Sequence, residues 1–182
     1  MHKHLDQTLK KQRGISLVEA CAVMAVTATL AATAAPAMQE MIDTRRLDGA
    51  ATQLATDIQF VRGVAVARNQ PVRLSAYSRG EASCYVVHTG NSSDCDCLAN
   101  SPAQCSGGAE PIKTVAFSAA DRVALEANVA SVLFDPLHGT STPTGTLRLI
   151  GAQGRAVHHV INVMGRVRSC SPNASMPGYR AC

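Results

Sequence analysis

The sequence is poor in aromatic residues: its 182 positions include no tryptophan, and aromatic residues make up 3% of the chain. A core with so few rings must rely on valine, leucine, isoleucine and alanine. Few rings are also available to stack on nucleobases, so any contact with a nucleic acid would depend on charge. The length allows one globular domain rather than two.

Signatures of catalysis are also missing. The sequence has no paired carboxylates, phosphate-binding loop or nucleophile motif, and we therefore predict no enzyme, no catalytic residue and no cofactor. Four histidines lack a carboxylate or cysteine at a spacing typical of a metal site or a catalytic triad, and we expect them at surface or edge positions. They are His88, His138, His158 and His159.

Acidic residues are absent from the C-terminal part of the chain. None follows Asp135, whereas five arginines do: Arg148, Arg155, Arg166, Arg168 and Arg180. The net charge of +4 is thus concentrated in this tail and in a basic N-terminal leader, residues 1–14.

Residues 15–38 form an apolar run in which Glu19 is the only charge. Its 24 residues are enough for a helix that crosses about 30 Å of hydrocarbon. The preceding basic residues favour a cytoplasmic N-terminus and place everything after Met38 on the far side, which predicts a single-pass membrane protein, N-in and C-out. A secretory signal peptide is the alternative, but a carboxylate inside an apolar segment costs roughly 2.5 to 3.5 kcal/mol unless it has a partner.

The helical pattern continues beyond the apolar run. Leu54, Ile58, Val61 and Ala65 recur at spacings that place them on one face, so residues 39–69 predict an amphipathic second half of one long helix. Pro36 is a candidate kink and Gly49 a soft spot.

Residues 70–182 predict a β-rich head. Seven short runs read as strands (residues 71–77, 83–89, 112–118, 123–128, 131–136, 144–151 and 156–164), and we expect five to seven antiparallel strands. The polar segment at residues 89–111 predicts a long loop. The fold class is therefore α+β, a long N-terminal membrane-spanning helix packed on an antiparallel sheet with disulfide-stapled loops.

Seven cysteines, six of them beyond Arg79, indicate an oxidising compartment. Their spacing is poor for zinc, so we predict disulfides and no metal site. Six cysteines allow 15 pairings. The preferred arrangement joins Cys170 to Cys182 and forms two further bridges among Cys84, Cys95, Cys97 and Cys105.

The start of the chain resembles the processing site of type IV prepilins and pseudopilins. Gly14 is followed by a hydrophobic first mature residue, Ile15, and by Glu19 at the fifth mature position. The resemblance implies that a prepilin peptidase cuts after Gly14 and methylates the new amine of Ile15. Glu19 would then pair with that amine in a neighbouring pilin during assembly.

The head resembles the FimT/GspH family of minor pilins and pseudopilins. The similarity rests on the helix end and first strand (Leu54, Ala65, Arg68, Asn69 and Val72), the run VLFDPLHGTSTPTGTLRLIG and the closing INVMGRVRSC. FimT-type members are implicated in binding double-stranded DNA for natural transformation through a Gly-Arg-X-Arg motif, here Gly165, Arg166, Val167 and Arg168. The resemblance therefore implies a minor pilin that lies in the inner membrane, with its head facing the periplasm, before it assembles with major and other minor pilins into an extracellular pilus.

Simple physics supports the DNA hypothesis. Arginines at i and i+2 of an extended segment point to the same side, and each guanidinium can hold a phosphate with two hydrogen bonds. Arg180, with Arg148 and Arg155, would widen this surface, and binding would be independent of base sequence. Two alternatives to DNA binding remain. The arginines could be ordinary solvated charges, or the protein could be a structural pseudopilin of a type II secretion system or a pilus-priming minor pilin without a role in DNA binding.

Overall fold

The computed structural model describes residues 16–80, 82–98 and 101–182. Gly14 and Ile15, the expected cleavage and methylation positions, lie outside the described residues. The helix α1 spans Leu17–Arg68 and continues through Pro36 and Gly49. At its start the hydroxyl of Ser16 accepts a hydrogen bond from the backbone N–H of Glu19 (3.2 Å), as an N-cap does.

The first part of α1 is apolar and exposed throughout residues 17–40. By length and composition, α1 can cross a membrane. Threonine hydroxyls in this part bond to carbonyl oxygens of the preceding turn; that of Thr27 lies 2.9 Å from the oxygen of Val23. These bonds leave no polar side-chain hydrogen without a partner on the threonines concerned, which suits an apolar surrounding.

The second part of α1 belongs to the compact unit Met41–Cys182. The predicted stripe of Leu54, Ile58, Val61 and Ala65 is confirmed, since all four side chains are fully buried. The helix ends where Asn69 adopts a left-handed conformation (φ 49°) and Gln70 donates its N–H to the oxygen of Ala65.

Eleven strands follow in the described residues: β1 Val72–Arg79, β2 Ala82–His88, β3 Cys95–Leu98, β4 Ser101–Cys105, β5 Pro111–Phe117, β6 Val123–Ala127, β7 Ser131–Phe134, β8 Ser141–Thr142, β9 Gly145–Gly151, β10 Ala156–Ile161 and β11 Val167–Cys170. They form a five-stranded sheet (β5-β2-β1-β7-β8), a four-stranded sheet (β11-β10-β9-β6) and the pair β3-β4. Neighbouring strands are antiparallel throughout. The α+β class is confirmed, but the expected number of strands was too low.

The polar segment at residues 89–111 is not only a loop, because it contains the hairpin of β3 and β4. Two disulfides hold this hairpin: Cys95 pairs with Cys105 across it, and Cys84 of β2 pairs with Cys97. The hydroxyl of Tyr77 donates to the backbone oxygen of Cys95. Two disulfides thus stabilise a segment that has few apolar residues to form a core.

A buried carboxylate joins the helix to two strands of the five-stranded sheet. Asp57 accepts one hydrogen bond from the hydroxyl of Tyr85 in β2 and one from the ammonium of Lys113 in β5, both 2.6 Å long. The Asp57 side chain is only 5% exposed, whereas that of Lys113 is 37% exposed. Burial and this hydrogen bond to Asp57 raise the pKa of the Tyr85 hydroxyl above its ordinary value.

Two histidines depart from the expected surface positions. His88 and His159 are buried, with 0% and 1% of their surface exposed. His88 contacts the hydroxyl of Ser75 at 2.8 Å and the backbone oxygen of Thr89 at 2.8 Å. Since Ser75 is itself buried, this serine–histidine pair has no access to a substrate and serves to join β1 to β2.

Candidate functional site

Strand β11 is an edge of the four-stranded sheet, and alternation along the strands decides which side chains face solvent. In the neighbouring β10, Val157, His159 and Ile161 are buried, whereas Val160 is exposed. Arg168 lies directly opposite Val160 in the register of β10 and β11. Arg168 therefore belongs to the solvent-facing side of the sheet.

A tight turn at residues 162–165 leads from β10 into β11. The N–H of Gly165 donates to the oxygen of Asn162 (2.9 Å), and the N–H of Asn162 donates to the oxygen of Arg166 (3.1 Å). Gly165 has φ 67°, and a Cβ atom there would lie 2.5 Å from the backbone oxygen of Gly139. The turn itself therefore requires glycine at this position of the motif, whatever the arginines do.

Arg180 is brought to the same edge by the second half of the tail. Cys170, the last residue of β11, forms a disulfide with Cys182, the pairing preferred from the sequence. Backbone hydrogen bonds add to it, because the N–H of Ser171 donates to the oxygen of Arg180 at 2.8 Å. As a result, Arg168 and Arg180 line one groove of about 400 Å³ beside the disulfide.

Arg148 lies on the same solvent-facing side, two strands away. In β9 it is opposite His158 of β10, which in turn is opposite Cys170 of β11. Partial burial and the charge of Arg148 lower the pKa of His158, so this imidazole is neutral near pH 7 and adds no positive charge. On its other side Arg148 lies opposite Glu126 of β6, which is exposed. Glu126 precedes the acid-free tail in the sequence, but the sheet places it beside an arginine of that tail.

Arg155 does not join this surface. Its guanidinium donates to the hydroxyl of Thr44 in α1 at 2.7 Å, and the residue is half-buried. Arg155 thus ties the start of β10 to the helix.

Four arginines remain exposed on this part of the head: Arg148, Arg166, Arg168 and Arg180. Their guanidinium groups form no hydrogen bond or ion pair with any residue that the structure describes. Arg166, Arg168 and Arg180 gather at the edge formed by β11 and the tail, while Arg148 lies farther across the sheet. Unpaired guanidinium groups in this arrangement can bind several phosphates at once.

The remaining predicted residues have other surroundings. Glu19 is exposed in the first turn of α1. The cysteines of the polar segment are all engaged in disulfides and cannot ligate a metal. Among residues 16–80, 82–98 and 101–182, no three His, Cys, Asp or Glu side chains gather in a way that could hold a metal ion.

Comparison with known proteins identifies the family. A family model described as type II transport protein GspH matches residues 50–165. No curated protein matches the chain significantly. Among solved structures, the type IV minor pilin FimU of Pseudomonas aeruginosa is 17% identical with a TM-score of 0.51, covering 72% of this chain and 96% of its own.

The minor pseudopilin EpsH of the Vibrio cholerae type 2 secretion system is also similar. It is 10% identical with a TM-score of 0.47, covering 70% of this chain and 98% of its own. At these identities the likeness to solved structures concerns the fold alone. Because the family model matches more than half of the chain, the protein belongs to the GspH family of minor pilins and pseudopilins.

Proposed function

We propose that this protein is a minor pilin of a type IV pilus that binds double-stranded DNA without sequence preference, for uptake in natural transformation. The single observation that carries the DNA role is the group of four exposed arginines at one side of the head, whose guanidinium groups have no partner in the described residues. A surface of this kind attracts a polyanion and holds it through charge-assisted hydrogen bonds.

The arrangement suits phosphates better than base edges. Arg168 and Arg180 line one groove, and Arg166 lies two residues before Arg168, so the three can meet successive phosphates of a strand, which are spaced about 3.4 Å along the helix axis. None of these side chains stands at the start of a helix or on a protruding element that would enter a major groove. Contacts to phosphate alone position a protein on DNA and do not distinguish sequences.

The N-terminal residues support the pilin half of the proposal. A prepilin peptidase would remove the leader after Gly14 while α1 is anchored in the inner membrane, N-in and C-out. The carboxylate of Glu19, costly in hydrocarbon, would then pair with the amine of Ile15 of a neighbouring pilin as the helices pack into the extracellular filament. The role of the protein in the filament would be structural, not catalytic.

The second candidate is a structural pseudopilin of a type II secretion system, or a pilus-priming minor pilin, with no role in DNA binding. Two observations favour it. The family model is described by type II transport, and its match ends at Gly165, one residue before the first arginine of the motif. Glu126 also places a negative charge beside Arg148 on the same side of the sheet.

A fluorescence anisotropy titration separates the two candidates. The full chain in a non-ionic detergent is titrated against a labelled duplex at 50 and 200 mM salt. Four phosphate contacts predict a loss of affinity of roughly 150-fold between these salt concentrations, and three contacts a loss of roughly 40-fold. Arg166→Gln, Arg168→Gln and Arg180→Gln should therefore each weaken binding and reduce the salt dependence.

Arg45→Gln is the matched control, because Arg45 is an exposed arginine of α1 outside the proposed surface. The basic leader is present in every variant, so its contribution cancels in the comparison. If the three tail variants bind DNA as tightly as the Arg45 variant, the DNA assignment is wrong and the structural candidate is preferred.

A further inference from the structure

The turn between β10 and β11 carries two exposed aliphatic side chains. Val163 is 55% exposed and Met164 is 54% exposed, although both are large apolar residues. They occupy the two central positions of the turn at residues 162–165, the outermost part of this hairpin. Isolated apolar residues on a surface are common, but two adjacent ones at the tip of a hairpin form a defined apolar point.

The backbone of this turn is held firmly from both sides. Within the turn, Gly165 and Asn162 form the hydrogen bonds described above. From the neighbouring strand β8, the N–H of Ser141 donates to the oxygen of Val163 (2.9 Å), and its hydroxyl donates to the oxygen of Asn162 (2.6 Å). Because the backbone is fixed on both sides of the two apolar residues, the turn itself does not have to be ordered when a partner binds.

Two guanidinium groups follow this apolar point on the β11 side. Arg166 follows the turn directly, and Arg168 lies opposite the exposed Val160, which continues the apolar surface along β10. Asp135, in the loop next to the turn, is already engaged by the backbone N–H groups of Leu137 and His138. The surface therefore alternates between aliphatic groups and free positive charges.

We propose that Val163 and Met164 form an apolar wedge that enters the minor groove of the duplex held by the neighbouring arginines and partly unstacks one base step. This inference rests on the proposed function. Aliphatic side chains presented beside arginines are the means by which minor-groove proteins unstack and bend DNA. The step should be easiest at TA sequences, which unstack at the lowest cost.

A site for unpaired bases fits the surface less well. Single-stranded nucleic acids are held by aromatic rings on which bases stack, and neither the turn nor β11 contains one. A protein partner also fits less well, since a stable interface buries about 800 Å² on each side, far more than two side chains offer. The free guanidinium groups of Arg166 and Arg168, which follow the wedge along β11, match the phosphates that border a groove.

The test compares apolar and charged variants in two measurements, with the full chain in non-ionic detergent. The first is the affinity for a duplex and its salt dependence, and the second is the fluorescence of 2-aminopurine placed in a TA-rich duplex, which rises when the base unstacks. The double variant V163S/M164S should bind roughly three- to tenfold more weakly and lose the fluorescence rise. Its salt dependence should not change, because no charge is removed.

Matched controls are available on α1. Val66 and Met41 are 52% and 56% exposed, so V66S/M41S makes the same chemical change at nearly the same exposure, on the helix and outside the proposed DNA-binding surface. The conservative variant V163I/M164L keeps the wedge apolar and should retain the fluorescence rise. It also guards against misfolding, since a loss seen with serine but not with these residues must come from polarity at the tip.

The outcomes separate the two proposals. The wedge is supported if V163S/M164S loses affinity and the fluorescence rise while V66S/M41S and V163I/M164L keep both. If the arginine variants lose binding while V163S/M164S behaves like V66S/M41S, the wedge is refuted and the proposed function stands. If V163S/M164S binds DNA normally but no longer enters filaments, the turn is a contact between subunits and the wedge is equally refuted. Failure of the arginine variants to weaken binding refutes the proposed function and the wedge with it.

Discussion

Replacing Lys113 with methionine should destabilise the head, because Lys113 is the cationic partner of a buried carboxylate. The Asp57 side chain is 5% exposed, and among the described residues it receives two hydrogen bonds, from Lys113 and from Tyr85, each 2.6 Å long. Lys113→Met keeps an apolar side chain of similar length on β5 but removes the ammonium. The carboxylate then remains buried with the Tyr85 hydroxyl as its only partner among the described residues.

The expected cost follows from the burial of the two groups. Removing one partner of a fully buried ion pair costs about 3 to 5 kcal/mol, since the other charge stays desolvated. Lys113 is 37% exposed, so water screens part of this interaction, and we expect about 2 kcal/mol. Adding Asp57→Asn should recover most of that loss, because a neutral amide needs no cation.

The measurement is urea unfolding of residues 41–182, followed by circular dichroism. This unit contains every buried residue of the structure. Arg68→Met is the control: it also removes a cation that pairs with a carboxylate, Glu110, but that pair is exposed (45% and 65%) and should be worth less than 1 kcal/mol. If Lys113→Met costs no more than Arg68→Met, or if Asp57→Asn adds to the loss, Asp57 is not held as the structure describes.

Three further predictions concern His159, the tail and the leader. Burial, with a smaller effect of the neighbouring His158, lowers the pKa of His159 to about 4, below its ordinary 6.5. The unfolded chain therefore binds the proton first as the pH falls from 6.5 towards 4. The protonation of His159 in the unfolded chain should lower the free energy of unfolding by about 2 kcal/mol between pH 7 and pH 5. Urea unfolding at the two pH values should show this loss in the native sequence and not in His159→Gln. Opening the tail with Cys170→Ser and Cys182→Ser should cost about 3 kcal/mol. It should also weaken DNA binding as much as Arg180→Gln does, with no further loss when the changes are combined; an additive loss by anisotropy would contradict a positioning role. Replacing Gly14 with leucine should leave an uncleaved precursor in membranes by mass spectrometry, whereas a mature chain cut near Ala35 would indicate a signal peptide.

Local patterns account for what could be predicted correctly. The apolar run and the stripe of Leu54, Ile58, Val61 and Ala65 are periodic over a few turns, so they predict a helix without knowledge of the rest of the chain. The stop of that helix also depends on adjacent residues, since Pro71 lacks an N–H and Asn69 tolerates a left-handed conformation.

The hairpin of β3 and β4 could not be recognised in the same way. Its segment has the polar, glycine- and serine-rich composition of a loop, and no alternation of apolar residues marks the strands. Its strands are held by disulfides, including one to Cys84 in a different strand. Strand β11 was not predicted for a related reason. It has four residues, and the alternation between the half-buried Val167 and the exposed Arg168 is too short to indicate a strand.

The proposed DNA-binding surface depends both on local sequence and on tertiary contacts. The sequence alone determined that the chain carries a membrane-type helix, a glutamate near its start and an acid-free tail with five arginines, since charge and hydropathy are properties of each residue. Only the tertiary structure decided that Arg168 and Arg180 line one groove, that Arg155 is turned to Thr44, and that Glu126 faces Arg148. These relations depend on the register of strands and on contacts between residues distant in the chain, such as Arg155 and Thr44, which no local pattern encodes.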